Sequence, residues 1–466
     1  GEEACKKGVV VCYDCRLNSE RFAREAAGVM AANGIRVRIF DALRPTPELS
    51  FAVMHYGATA GINITASHNP REYNGYKVYW SDGAQLPPQH AAAVAAEMGK
   101  LDIFHDVKLM SFEEATASGL VEVIGAETDE AFLENVMAMS INKSVVEKVA
   151  DEFKIVYTPF HGAGYKLVPE ALRRLGVKHL YPEPQQMVID GNFPTVVSPN
   201  PENPEGFYLA IDLARENDVD FILGTDPDSD RVAVAVPVGG GFRKLSGNEL
   251  GCLLLDYILG TMQKAGTLPA DPVAVRSIVS TPMADKIAAS YGVKMRRVLT
   301  GFKYIGGEIL ALEQKHEENR FVFGFEESCG YLKGTYARDK DAVVASMLTC
   351  DLAAALKREG TNLAEHMDAL YSRFGWHEAR VLSCELQGPD AMEISAGFMA
   401  QMRRELPKAV CGIAVTSVTD YQARVTRDLV HGTEEAVTLP KSNVLVLQLG
   451  EKGTVCLLYT SDAADD

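Results

Sequence analysis

Short apolar runs alternate with segments of helical period along this chain, and the alternation restarts twice. That pattern narrows the fold more than any other feature, because neighbouring parallel strands need helical crossovers. Gly8–Tyr13 reads as a strand, Ser19–Ala32 as a helix stopped by Asn33–Gly34, and Ile35–Phe40 as the next strand. The pattern resumes near Asp151 with strand Lys154–Tyr157, helices Tyr165–Leu175 and Phe207–Arg215, and strand Asp220–Gly224. It resumes again after Gly239–Gly241, where Ser246 and Glu249 make a capping box ahead of an apolar helix through Leu259. Strand Val273–Val279, a helix opening at Thr281–Pro282 and a buried strand Arg320–Phe325 follow. A smaller α+β unit rich in Val, Thr and Leu begins near Phe374.

The length of 466 residues suits about three domains. With 63 Asp and Glu against 46 Lys and Arg, the net charge is −17. A field of that sign opposes nucleic acid and anionic lipid, so neither is an expected partner. The longest apolar stretches, Val232–Val238 and Val444–Leu447, are too short to span a bilayer. Nine scattered cysteines indicate a reducing, cytoplasmic compartment. Cys12 and Cys15 match a C-x-x-C spacing, read here as two thiols at a strand end. No signal peptide is visible, and the chain opens on Gly1 in place of Met, as a fragment would.

Three loops at strand ends carry the chemistry, where ligands of open α/β sheets gather. Thr65-Ala66-Ser67-His68-Asn69-Pro70 follows the strand Ala60–Ile64 and presents a hydroxyl on a bend. Taken alone it is an ordinary polar turn, and adjacent Ser and His side chains diverge too much for a hydrolase pair. Asp226, Asp228 and Asp230 stand at alternating positions of an extended loop, so they point the same way and repel unless a cation binds or one of them is protonated. Hard oxygen ligands of this kind suit Mg²⁺ or Mn²⁺. An EF-hand is excluded, because Arg231 and Pro237 stand where that loop needs Gly and Glu. The third loop, Gly324–Tyr331, contains Glu326 and Ser328, side chains able to pair with sugar hydroxyls. By itself it reads as an exposed acidic turn.

Together and in this order, the loops resemble those of the α-D-phosphohexomutase superfamily, the phosphoglucomutases and phosphomannomutases. Thr65–Pro70 resembles the family's phosphoserine loop, Asp226–Arg231 its magnesium loop and Gly324–Gly330 its sugar-recognition loop. Asn74–Lys77, Thr300–Lys303 and Arg338–Asp341 also fit, and the likeness runs from about Gly8 to Leu447. The wording around Leu43–Leu49, Thr300–Gly306 and Phe325–Tyr331 is most similar to the bacterial phosphoglucomutase and phosphopentomutase branch.

The resemblance implies three tandem α/β domains with mixed sheets and a smaller, incomplete α+β C-terminal domain around a central cleft. Their expected bounds are 1–125, 126–242, 243–372 and 373–455, with a non-native tail at 456–466. It also implies interconversion of α-D-glucose 1-phosphate and glucose 6-phosphate through a phosphoserine at Ser67, with glucose 1,6-bisphosphate as intermediate and activator. Asp226, Asp228, Asp230 and the Ser67 phosphate would hold Mg²⁺, and Arg231 would stabilise the transferring group. Lys77 and Lys340 are the candidate bases, or else fixed phosphate-binding cations; His68 is a weaker candidate, and His161 weaker still. Thr300, Gly301, Glu326 and Ser328 would bind the sugar.

Two departures from the family pattern stand out. The C-terminal loop reading Arg-Pro-Ser-Gly-Thr-Glu-Pro is absent, with Cys456–Ser461 in its place, and the segment usually preceding the first strand is missing. The expectation is a chain truncated at both ends, impaired in holding the non-reacting phosphate. Phosphopentomutase or phosphomannomutase activity is the near alternative. More distant ones are a haloacid-dehalogenase-type phosphatase using Asp226, and a non-catalytic sugar-phosphate binder. No apolar helix seam indicates an oligomeric state.

Overall fold

The computed structural model describes residues 1–458 apart from 383, 385 and 387–389. It forms two compact units, Gly1–Arg297 with Gly301–His377, and Val298–Thr300 with Glu378–Asp466.

The larger unit begins with strands β1 (Val9–Tyr13), β2 (Val37–Phe40), β3 (Ala60–Ile64), β4 (Tyr76–Trp80) and β5 (Val121–Ile124), in the order β4-β3-β1-β2-β5. Every residue of β1 is buried, the signature of a central strand covered on both faces. The period of two divides its side chains. Val9, Val11 and Tyr13 pack with Ala23, Ala27 and Ala31 of the helix Ser19–Ala32. Val10 and Cys12 pack with Leu49, Ala52 and Val53 of the helix Thr46–His55.

A second sheet has the order β10-β9-β8-β6-β7, built from β6 (Lys154–Thr158), β7 (His179–Pro182), β8 (Phe221–Thr225), β9 (Val232–Val238) and β10 (Gly241–Lys244). A third has the order β12-β11-β13-β14, from β11 (Val273–Ser277), β12 (Lys294–Val298), β13 (Phe321–Glu326) and β14 (Gly330–Leu332). One continuous apolar cluster runs through both, with Val343 and Met347 of the helix Ala342–Arg358 packed among Val168, Leu172 and Phe323. The alternation of strands and helices is therefore an α/β architecture of three tandem mixed sheets.

Each sheet repeats one device. A strand parallel to its inner neighbour, β3, β8 or β13, turns back into an antiparallel partner, β4, β9 or β14. The three connecting loops are the ones singled out by sequence. Each holds one non-glycine residue in the left-handed region: Ser67 (φ 49°), Ser229 (φ 53°) and Cys329 (φ 65°). Backbone strain of this kind persists only where surrounding contacts over-determine the loop.

Several element boundaries differ from expectation for local reasons. The Ser246–Glu249 capping box forms, but its helix runs on to Ala265, where Gly266 closes it in a left-handed turn. Strand β11 stops at Ser277, not Val279, because the Ser277 hydroxyl accepts the Ser280 N–H and turns the chain. The α-helix expected from Phe207 begins at Tyr208, since Pro204–Phe207 form a 3₁₀ turn.

In the smaller unit, β15 (Ala409–Val410) and β16 (Ile413–Ala414) make a hairpin. Strands β17 (Ser417–Asp420), β18 (Val425–Asp428), β19 (Thr433–Ala436), β20 (Val444–Gln448) and β21 (Thr454–Leu458) form an antiparallel sheet ordered β19-β18-β17-β20-β21. Met399 of the helix Ala391–Arg404 packs with Val418, Leu445 and Leu447. Cys456–Leu458 complete β21 by pairing with Val444–Val446, so this sheet extends past the boundary expected at 455. The rest of the expected tail, 459–466, lies outside the described residues. Among the described residues no helix is long and apolar enough to cross a membrane.

Candidate active site

The three loops of the larger unit converge. The Ser67 hydroxyl donates to Asp226 Oδ2 at 3.2 Å, joining the first sheet's loop to the second's. Thr46 N–H, at the start of the helix Thr46–His55, donates to the Asp228 carbonyl at 2.8 Å, a second contact onto the acid loop. Arg231 and Gly330 form an isolated antiparallel bridge, and Val232 N–H donates to the Cys329 carbonyl at 3.1 Å, tying the second loop to the third. Gly330 is required at that crossing: a Cβ there would lie 2.3 Å from Lys340 Cδ, in the path of the lysine stem.

Ser67 owes its position to Arg16, which sequence reading missed. The buried guanidinium donates from Nη2 to the carbonyls of Ser67 (2.7 Å) and Asn69 (2.5 Å), and from Nη1 to those of Pro70 (2.9 Å) and Tyr73 (3.0 Å). Asp14 pairs with Arg16 at 3.2 Å and accepts from Thr65 Oγ1 at 2.7 Å, while Thr65 Oγ1 accepts the Ser67 N–H. The signal was present in the polar Asp14-Cys15-Arg16 that follows a wholly apolar strand.

Asp226, Asp228 and Asp230 are buried, and one carboxylate oxygen from each lies within 4.8 Å of the others. Their electrostatics differ. Burial, and then the charges of Asp228 and Asp230, push the Asp226 carboxyl well above the usual range. Burial and Asp228 push Asp230 up to about 7, against the pull of Lys340. Asp228 sits low: burial opposes its charge, but Lys77 overrides that, helped by Lys340 and the Thr46 hydroxyl.

A cation fits this set. Asp228 Oδ1 and Asp230 Oδ1 are buried without a hydrogen bond, which is costly unless a cation takes up their lone pairs. The donors are hard oxygens of the kind Mg²⁺ and Mn²⁺ take. Among the described residues no other group of three His, Cys, Asp or Glu side chains is placed to hold a metal ion.

The cations surround the acids. Lys77 Nζ is 3.3 Å from Asp228 Oδ2; Lys340 Nζ is 3.0 Å from Asp230 Oδ2 and 3.1 Å from Asp339 Oδ1. Arg231 reaches the Ser328 carbonyl at 3.3 Å and Glu202 at 3.5 Å. His68 Nδ1 stands 3.4 Å from Ser67 Oγ, at the outer limit of a hydrogen bond. Burial, then Arg231, hold its pKa well below the usual histidine value, so the ring is neutral. His161 is buried on the Val188 carbonyl and Thr195 hydroxyl, and it serves the fold there.

Glu326 corrects the reading of its loop as an exposed acidic turn. It is only 4% exposed and accepts the Gly301 N–H at 2.7 Å. Burial, then Glu327, push its pKa up to about 7. Ser328 is half-buried beside it. The Thr300 hydroxyl is buried and makes no hydrogen bond. Cys12, fully buried, donates to the Arg44 carbonyl, and all nine cysteines are free thiols.

Three family models match this sequence: phosphoglucomutase/phosphomannomutase alpha/beta/alpha domain I at residues 1–103, domain II at 130–239 and domain III at 246–374. A phosphoglucomutase of Staphylococcus saprophyticus is 34% identical over 451 residues, covering 96% of this chain and 80% of that protein. One from Staphylococcus aureus is 33% identical over 452 residues, covering 96% and 79%. Among solved structures, the Paramecium exocytosis-sensitive phosphoprotein parafusin, a phosphoglucomutase in its open form, has a similar fold. Its TM-score is 0.67 at 17% identity, over 98% of this chain and 81% of that one. A phosphoglucomutase/phosphomannomutase family protein of Burkholderia thailandensis gives 0.63 at 16% identity, over 99% and 88%. Sequence relatives and fold agree, and the chain belongs to the phosphoglucomutase/phosphomannomutase family.

Proposed function

We propose that this chain interconverts α-D-glucose 1-phosphate and glucose 6-phosphate through a phosphorylated Ser67. The observation that carries this reading is the Ser67 hydroxyl, buried and 3.2 Å from the nearest carboxylate of the acid trio. Relatives named phosphoglucomutase, matched over nearly all of this chain, support the choice of sugar.

In this reading the phosphoryl group leaves Ser67 Oγ for the free hydroxyl of the sugar phosphate, whose proton passes to a nearby base. The resulting glucose 1,6-bisphosphate turns over and returns its other phosphoryl group to Ser67, regenerating the starting enzyme. Asp226, Asp228 and Asp230 would hold Mg²⁺, which would supply neutralisation of charge on the transferring group. Arg231 adds a fixed cation. Lys77 and Lys340, each ion-paired with a trio carboxylate, fit the role of phosphate-binding cations as well as that of base. Glu326, Ser328 and Gly301 bind the sugar. Nine free thiols suit a reducing, cytoplasmic compartment.

The test is a coupled assay with glucose 1-phosphate, Mg²⁺ and catalytic glucose 1,6-bisphosphate. Formation of glucose 6-phosphate, faster than isomerisation of mannose or pentose phosphates, is the expected result. Substrate binding without isomerisation would contradict the reading.

Glu326 gives a pH prediction. Its pKa rises from about 4.3 in an unfolded chain to about 7 in the fold. The folded state therefore holds its proton more tightly, and stability falls as pH rises between those values. Glu326→Gln removes that loss, so urea unfolding should show the variant gaining on the parent from pH 5 to pH 8. The same variant should lose any inflection near pH 7 in the KM for sugar phosphate. A parent-like pH profile in both measurements would show that Glu326 ionises normally.

A further inference from the structure

The helix Thr46–His55 opens against the acid loop, and its first residue grips that loop twice. Thr46 N–H, one of the donors a helix start leaves without an internal partner, goes to the Asp228 carbonyl at 2.8 Å. The Thr46 hydroxyl goes to Asp228 Oδ2 at 2.9 Å. All of this is sealed from water: Thr46 and Asp228 are both 0% exposed.

A hydroxyl has one proton, and the neighbourhood decides where it points. Asn63 Nδ2 donates to Thr46 Oγ1 at 2.8 Å, which occupies an acceptor site and leaves the Thr46 proton for the carboxylate. Asn63 sits on β3 directly opposite Lys77 on β4. Cross-strand partners project to the same face, so one strand pair sends an amide to Thr46 and an ammonium to Asp228. Oδ2 of Asp228 thus receives Thr46 at 2.9 Å and Lys77 at 3.3 Å, whereas Oδ1 is buried with no hydrogen bond.

A carboxylate rotates broadly about its last torsion, and only its partners fix which oxygen faces where. We infer that Thr46 is a positioning residue for the metal site: its hydroxyl, oriented by Asn63, locks Oδ2 of Asp228 and leaves Oδ1 open to a divalent cation. This rests on the reading of Asp226, Asp228 and Asp230 as metal ligands.

Thr46 is suited to the task because it cannot drift. Pro45 precedes it, and the next turns of its helix bury Leu49, Ala52 and Val53 in the first sheet's core. Partners that orient a metal ligand belong on rigid elements of this kind.

The test compares Thr46→Val, Thr46→Ser and Asp228→Asn in the full chain, with Mn²⁺ alone as probe, read by calorimetry and by the paramagnetic resonance of free Mn²⁺. Thr46→Val keeps the shape and loses the hydroxyl. It should bind Mn²⁺ about 10- to 100-fold more weakly, the usual loss for an outer partner of a metal ligand. Thr46→Ser, which restores the donor, should bind close to the parent. In turnover, Thr46→Val should lower kcat at limiting Mn²⁺ and leave the KM for sugar phosphate unchanged.

Parental Mn²⁺ affinity in Thr46→Val, beside weak binding in Asp228→Asn, overturns the role of Thr46 alone. Parental affinity in Asp228→Asn as well overturns the metal site itself. If Thr46→Val does not fold, Asn63→Ala takes its place: it frees the Thr46 proton and should weaken Mn²⁺ binding in the same direction. Parental affinity there overturns the inference too.

Discussion

Ser67→Ala should leave a folded protein whose isomerisation is slower by about 10,000-fold or more, the scale at which removal of an attacking or carrying group is felt. The loop does not depend on the hydroxyl for its shape. Arg16 holds it through the carbonyls of Ser67, Asn69, Pro70 and Tyr73, none of which the substitution touches. The left-handed backbone at Ser67 costs alanine about 1 kcal/mol, a strain serine already bears. Circular dichroism and melting should therefore match the parent while the coupled assay falls to background. Retained turnover would mean that phosphate travels by a route that avoids this hydroxyl.

Asp226→Asn should move stability and activity in opposite directions. Asp226 Oδ1 accepts the N–H groups of Asp230 (3.1 Å) and Arg231 (2.9 Å), and an amide oxygen can take over both bonds. The substitution removes one of three crowded buried acids, so the metal-free variant should melt at or above the parent temperature. It also removes a cation ligand. Saturating Mg²⁺ should raise the parent's melting temperature by several degrees, from roughly 2–3 kcal/mol of linkage, and leave the variant unmoved. Turnover should fall by about 1,000-fold, equivalent to the several kcal/mol that a bound ion supplies to phosphoryl transfer. Destabilisation of the metal-free variant would show that Asp226 holds the loop together instead of straining it.

Much of the larger unit is legible in the sequence because its central strands, β1, β8, β11 and β13, are buried along their whole length and read as mainly apolar runs. Ser19–Ala32 and Ala60–Ile64 fall where the pattern puts them, and the Ser246–Glu249 box caps the helix it announces. Ser67 and the three aspartates stand out as polar loops cut into apolar sequence. What sequence leaves hidden is the set of contacts between distant segments. Arg16 reaches carbonyls more than fifty positions away, and Thr46 meets Asp228 across 182. Neither pairing leaves a local pattern, since a Thr at a helix start or an Arg after a strand is common in its own right. The burial of Glu326 is hidden for the same reason. Its burial comes from Gly301 and from the chain around it, while its own neighbours look like a solvated turn.

The central claim is a phosphoryl group carried on one hydroxyl. Incubation of the full chain with glucose 1,6-bisphosphate labelled in its phosphates, followed by acid quench and peptide mapping, reads it directly. Acid-stable label on the peptide containing Ser67, chased off by unlabelled glucose 1-phosphate, is the predicted result. An acid-stable label anywhere else, or a labile acyl phosphate on Asp226, would contradict it.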